Sequence, residues 1–150
     1  MASDTNTYIP KVQLRVNRHS FQLRDASGRA SSEFVAIHNV ALDVAAGEFL
    51  VVVGPSGCGK TTLLDILARL TTPTDGSVFI DGEEAKGPSL SRGIVFQQYA
   101  LLPWRTALSN VEFSLEAKGG LSRDERRRSA QEYISLVGLD RFENRYPHEL

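Results

Sequence analysis

Near the start of the chain Val12, Leu14 and Val16 alternate with polar residues, the period of a half-buried strand. Residues 1–10 before them are polar and read as loose, and Asp25 to Glu33, with Gly, Ser and charge, read as a loop. Apolar positions return from Phe34 to Val44, and the alternation from Val40 to Val44 is strand-like. Gly47 breaks that pattern, and Phe49-Leu50-Val51-Val52-Val53 follows as a continuous apolar run. Its length and β-branching predict a strand buried on both faces, as in a parallel sheet.

Further on, Leu63, Ile66, Leu67 and Leu70 fall at i, i+3, i+4 and i+7, one apolar stripe on a helix that begins near Lys60 and is ended by Thr71-Thr72-Pro73. Ser77-Val78-Phe79-Ile80 reads as a short strand between turns at Asp75-Gly76 and Asp81-Gly82, and Gly93-Ile94-Val95-Phe96 as another. The clearest helix runs from Leu121 to Leu139. Ser122 and Glu125 have capping-box spacing. Ala130, Tyr133, Ile134 and Val137 make its predicted buried stripe, and Gly138 suits the left-handed position that lets Leu139 touch back onto Ile134.

Composition narrows the class. The 150 residues are 41% hydrophobic and 23% charged, as in an ordinary globular domain, and the formal net charge of −1 gives no field that would draw nucleic acid or an anionic membrane. The single cysteine, Cys58, excludes an internal disulfide and fits a reducing compartment. Nothing in Met1 to Pro10 resembles a signal peptide, and no apolar run approaches the roughly 20 residues that cross a bilayer.

The candidate chemistry sits between the apolar run and the first helix. Gly54-Pro55-Ser56-Gly57-Cys58-Gly59-Lys60-Thr61 fits G-x-x-x-x-G-K-[ST], the P-loop pattern. A loop that wraps a triphosphate must turn its amides inward, which side chains obstruct, and glycine at 54, 57 and 59 meets that demand. The helix start aims unpaired amides and a positive dipole end at the phosphates. Lys60 would supply a full positive charge to the β- and γ-phosphates, and the Thr61 hydroxyl is a hard oxygen ligand for Mg²⁺. Cys58 reads as a small loop residue without redox work. Arg126-Arg127-Arg128 reads as a solvated face.

Gly47-Glu48-Phe49, the P-loop and the following Thr62-Leu63-Leu64 resemble the ABC transporter ATPase subunit. Gly93-Ile94-Val95-Phe96-Gln97 is similar to that family's Q-loop. Leu101-Leu102-Pro103-Trp104-Arg105 resembles its nitrate, sulfonate and taurine importer branch, and Tyr146-Pro147-His148-Glu149-Leu150 the lead-in to its signature, Leu-Ser-Gly-Gly. The likeness covers roughly residues 34–150.

The resemblance implies an α/β P-loop fold with an N-terminal antiparallel β subdomain and part of a helical subdomain. Residues 1–98 would hold the β subdomain and P-loop core, and 99–150 the Q-loop segment and the start of the helical subdomain. ATP and Mg²⁺ are the implied cofactors. Gly54 through Thr62 would bind the nucleotide, Lys60 and Gln97 would serve catalysis, and Thr61 and Gln97 would meet the metal. An aromatic residue would stack on adenine; Phe21 and Phe34 compete, and Phe21 is preferred. Tyr99 to Arg105 would face a membrane-embedded permease. A second ATPase subunit and, indirectly, a periplasmic binding protein complete the implied partners, at the cytoplasmic face of the inner membrane.

This sequence also departs from the pattern. Leu150 aligns with the first residue of the signature, so the signature's Ser-Gly-Gly, the apolar strand ending in Asp-Glu and the switch histidine are not in it. The C-terminal core strands are therefore expected to be missing, Phe49–Val53 is then expected to lack partners and expose apolar surface, and the chain alone is expected to turn ATP over slowly or not at all, or to be poorly soluble. Arg69 stands where the family often has Gly. Two other classes fit the residues: a soluble ABC-type ATPase in DNA repair or translation, and a non-catalytic nucleotide-binding module. Leu102-Pro103-Trp104 and the lack of a basic face favour the transporter over the first.

Overall fold

A computed structural model describes residues 9–98 and 100–150; the loose reading of the first eight residues and the Tyr99 assignment lie outside the described residues. The chain forms two compact units, one running to Ile94 and one from Val95 to Leu150.

The first unit is built on an antiparallel sheet of order β2-β1-β3-β4, with β1 Val12–Arg24, β2 Ala30–Val44, β3 Asp75–Ile80 and β4 Glu83–Glu84. Alternation decides which face is buried. Leu14 and Val16 of β1 pair with Leu42 and Val40 of β2, and Leu14 also with Val78 of β3. These positions and Ile37 form one face that packs on Leu63 and Ile66 of helix α1, Lys60–Leu67. Ile66, fully buried, contributes about 1.5–3 kcal/mol by leaving water.

The predicted loop at 25–33 is shorter than expected. The turn occupies 25–29, where the Asp25 carboxylate accepts from the amides of Ser27 and Arg29, and β2 already begins at Ala30. Once the turn closes, strand pairing extends through polar residues that carry no periodic signal. Gly76 is not a turn residue but part of β3. A Cβ there would lie 2.2 Å from the Arg15 carbonyl oxygen, so only glycine allows β1 and β3 to approach at that register shift.

Two expected strands are absent from the ladder. Phe49–Val53 and Gly93–Phe96 are irregular, with Phe49 90% and Val95 98% exposed. An apolar run is a strand only when a neighbour takes its amides and carbonyls, and the sheet supplies no neighbour to either run. Helix α1 also stops earlier than its apolar stripe, with Leu70 outside it. Its end is a Schellman turn, with Arg69 N–H donating to Ile66 O (3.0 Å) and Leu70 N–H to Asp65 O (2.9 Å), and it places Arg69 at φ +58°. That left-handed position is the physical reason a glycine suits this place.

The second unit pairs α2, Ala107–Lys118, with α3, Arg123–Leu136, and ends in a short 3-10 turn at Pro147–Glu149. Ala107, Leu108, Ala130 and Ile134 are its buried core, with Val111, Leu115 and Leu139 packed against them. Both halves of the predicted capping box on α3 are present. Gly138 sits at φ +72°, and Leu139 N–H donates to Ile134 O at 3.0 Å. Tyr133 and Val137, expected in the buried stripe, are exposed: the apolar contact of α3 with α2 is narrow and rests on Ala130 and Ile134, beside an ion pair of Arg127 with Glu112.

Candidate nucleotide site

The loop from Gly54 to Gly59 enters α1 through a glycine. Gly59 is the N-cap at φ 94°, ψ 7°, with no side chain to cap the helix and no acidic residue in the first turn. Among the described residues, no carboxylate or hydroxyl is therefore drawn onto the amides that a helix start leaves unpaired, and the positive dipole end faces no acid of its own first turn. Two glycines are crowded, and at Gly59 the neighbouring backbone requires one. A Cβ on Gly59 would stand 2.8 Å from the Ala36 carbonyl oxygen of β2 and 3.1 Å from Ile37 Cδ1. One on Gly54 would stand 2.8 Å from Cys58 Sγ. The loop is thus pressed against the sheet at one end and against itself at the other.

Lys60 closes the loop. Its ammonium donates to Gly54 O at 2.8 Å and Pro55 O at 2.6 Å and lies 3.6 Å from Cys58 Sγ. The cation is held inside the curve of residues 54–60, where phosphate oxygens would compete with those carbonyls for its protons. Thr61, the next residue, is exposed on the first turn of α1, with Thr62 behind it half-buried. The donor set is suited to a phosphate chain with its metal: the uncapped amides of the α1 start, one ammonium, and a hydroxyl that offers hard oxygen to Mg²⁺. Ser56 and Gly57 form the exposed tip, with Gly57 at φ +79°.

The remaining candidates lie elsewhere. Phe21 and Phe34 are direct partners across β1 and β2, and both are about half exposed. Buried His19 meets Phe21 edge-on, 4.8 Å between ring centroids and 85° between planes. Phe34 is two residues from Ala36, the carbonyl against Gly59, so the aromatic pair belongs to the same unit as the phosphate loop. Gln97 belongs to the second unit, exposed in an irregular stretch. Trp104, which could have been a core residue, is 71% exposed.

The sequence reading missed α2 and, with it, Asn110, which is buried and bonded to the Leu102–Thr106 loop. Thr106 as an N-cap, Leu108, Val111 and Leu115 at helical spacing, and Gly119-Gly120 as a stop were the available signals.

A glycine-capped helix start with an inward lysine on an α/β scaffold is the architecture of a P-loop. The chain belongs to the ABC transporter family, whose sequence profile matches residues 37–150. It is 56% identical over 115 residues to an uncharacterized ABC transporter ATP-binding protein of Methanocaldococcus jannaschii, covering 77% of this chain and 43% of that protein. The nitrate import ATP-binding protein NrtD of Synechocystis is 47% identical over 116 residues, covering 77% and 43%. The taurine import ATP-binding protein TauB of Yersinia pestis is 46% identical over 115 residues, covering 77% and 45%. Among solved structures, the ATP-binding cassette MJ0796, a dimer in a post-hydrolysis state bound to ADP and Pi, matches with a TM-score of 0.77 at 35% identity, covering 93% of this chain and 62% of that one. The chain spans less than half the length of the curated relatives it matches. No helix among the described residues is long and apolar enough to cross a membrane.

Proposed function

We propose that this chain carries the nucleotide-cradling portion of an ABC importer's ATP-binding subunit, which couples ATP binding and hydrolysis to uptake of a small oxyanion. The observation that carries the reading is the uncapped, glycine-entered start of α1 with the Lys60 ammonium gathered by loop carbonyls. Residues 54–62 hold the phosphates, with Lys60 on the β- and γ-phosphates and the Thr61 hydroxyl on Mg²⁺. The metal, when bound, neutralises phosphate charge as it builds toward transfer. Phe21 supports the base, and Gln97 senses the γ-phosphate and meets the metal or the attacking water.

The partners in this reading are a permease contacted around Leu101–Arg105, a second ATPase subunit and, indirectly, a periplasmic binding protein. The place of action is the cytoplasmic face of the inner membrane. The likeness to nitrate and taurine import ATP-binding proteins and the Leu-Leu-Pro-Trp segment support taurine, another sulfonate or nitrate as cargo. Titration with Mg-ATP tests the core of it. The parent chain binds, and Lys60→Ala loses about 100-fold in affinity, the worth of a charge-assisted contact to phosphate. A folded Lys60→Ala chain that holds Mg-ATP as firmly as the parent overturns the assignment.

A further inference from the structure

We propose that Asn110 is a positioning residue that fixes the Leu102–Thr106 loop, and Trp104 on it, to the segment Glu143–Leu150 through the first turn of α2. The proposal gives a physical route to the partner contact named above and rests on that reading for its function. Asn110 is 8% exposed and is fully engaged with backbone. Its Oδ1 accepts from Leu102 N–H at 2.8 Å. Its Nδ2 donates toward Leu102 O at 3.2 Å, Arg105 O at 3.1 Å and Thr106 O at 3.0 Å. Two amide protons thus serve three carbonyls, and the loop from 102 to 106 is folded around one side chain. Asparagine is a weak helix former, so its place inside α2 costs local stability that only such tertiary bonds offset. Aspartate would lack the donors and turn a carboxylate onto three carbonyl oxygens.

Arg105 adds a second tie. Its guanidinium donates to Ser109 O at 3.3 Å and lies 4.7 Å over the Phe113 ring. The loop is therefore fastened at both sides of Trp104, while the indole itself stays exposed. The same helix turn is engaged on its other side. Ala107 N–H donates to Arg145 O at 2.8 Å and Leu108 N–H to Glu143 O at 3.0 Å. These are helix-start amides that no carbonyl within the helix can satisfy, and here a distant segment takes them. A displacement of Trp104 by a bound partner then passes through Asn110 and the α2 amides to Tyr146–Leu150 instead of dissipating in a slack loop.

Trp104 is the chain's only tryptophan, so its emission reports this loop alone. In Asn110→Ala and Asn110→Asp we expect a fall in Trp104 anisotropy and a rise in acrylamide quenching. Amide exchange across Tyr146–Leu150 is expected to quicken about tenfold, the equivalent of one net hydrogen bond. If these variants unfold the unit, Ala107→Pro remains. Proline is accepted at the first helical position and removes the donor to Arg145 O, at the cost of a larger ring in the buried Ala107 site, so in the folded variant exchange at Tyr146–Leu150 rises while Trp104 anisotropy holds. A merely structural Asn110 would lower the melting temperature and leave the folded-state anisotropy of Trp104 at the parent value; that result overturns the proposal. So does unchanged exchange at Tyr146–Leu150 in a folded Asn110 or Ala107 variant. None of these readings needs nucleotide or membrane partner, so their failure is separate from failure of the Mg-ATP titration.

Discussion

Helices α1 and α3 begin in opposite ways. At α3, Ser122 and Glu125 close a reciprocal box, Asp124 and Glu125 stand in the first turn, and the helix start answers its own electrostatics. At α1, the N-cap is a left-handed glycine with no capping side chain, and no acid follows. A start that satisfies itself stabilises structure, and a start left unsatisfied keeps amides open to an anion. The two ends differ as well. Both helices close in a Schellman turn, but α3 places Gly138 in the left-handed position and α1 places Arg69 there. By both features α1 is the less self-satisfied of the two helices.

Substitutions can break this contrast. The largest effect is expected from Gly59→Ala, which forces a side chain into φ +94° at about 1–3 kcal/mol, before its contact with the Ala36 carbonyl is counted. Urea unfolding of the first unit and Mg-ATP titration should both register the loss. A fully stable, fully binding Gly59→Ala would show that the glycine cap is incidental. Next comes Ser122→Ala, which should cost the second unit about 1 kcal/mol by removing the capping hydroxyl. Urea unfolding followed by Trp104 emission measures this, and Mg-ATP affinity should not move; a drop in affinity would contradict a purely structural role for this cap.

A smaller effect of opposite sign is expected from Arg69→Gly, which relieves the left-handed backbone and stabilises the first unit by up to about 1 kcal/mol, part of it returned through a more flexible unfolded chain. Thermal unfolding by circular dichroism reads it, and a lower melting temperature would mean that the Arg69 side chain contributes packing that outweighs the strain.

The smallest effect is acidic. The Ser122 hydroxyl, and then its backbone N–H, hold the Glu125 carboxyl below the usual glutamate range. A group depressed on folding adds stability above its unfolded value, and that stability is lost as pH falls through the folded value. Melts of the second unit from about pH 5 to about pH 3 should therefore show a loss that Glu125→Gln lessens. Glu149, lowered by the Tyr146 amide, adds a loss of the same sign that this substitution leaves in place. Equal slopes in parent and variant would exclude the capping box as a source.

Local signals were legible wherever the chain satisfies itself nearby. The capping box of α3, the Gly138 turn, the buried pair Leu63 and Ile66, and the alternation of Leu14 and Val16 are all relations within a few residues or within one strand. The glycine-rich entry to α1 was legible for the same reason, since its glycines and Lys60 lie within eight positions. Helix α2 was harder because Phe113 and Ala117 spread its apolar positions beyond one stripe and Asn110 interrupts them; bonds to Leu102 and Glu143 add what spacing does not reveal.

By itself, then, the sequence determined the glycine-rich loop, the helix it enters, and the caps and turns of α3. Tertiary structure decided which apolar runs became strands and which polar side chains became structural. Phe49–Val53 has the composition of a core strand and is irregular because a strand is a property of two segments. Gly76, Arg69 and Asn110 took their meaning from what the fold set beside them: a neighbouring strand, a left-handed helix end and the backbone of the Trp104 loop. Short-range geometry is encoded residue by residue, whereas pairing across the fold depends on a partner that no local pattern names.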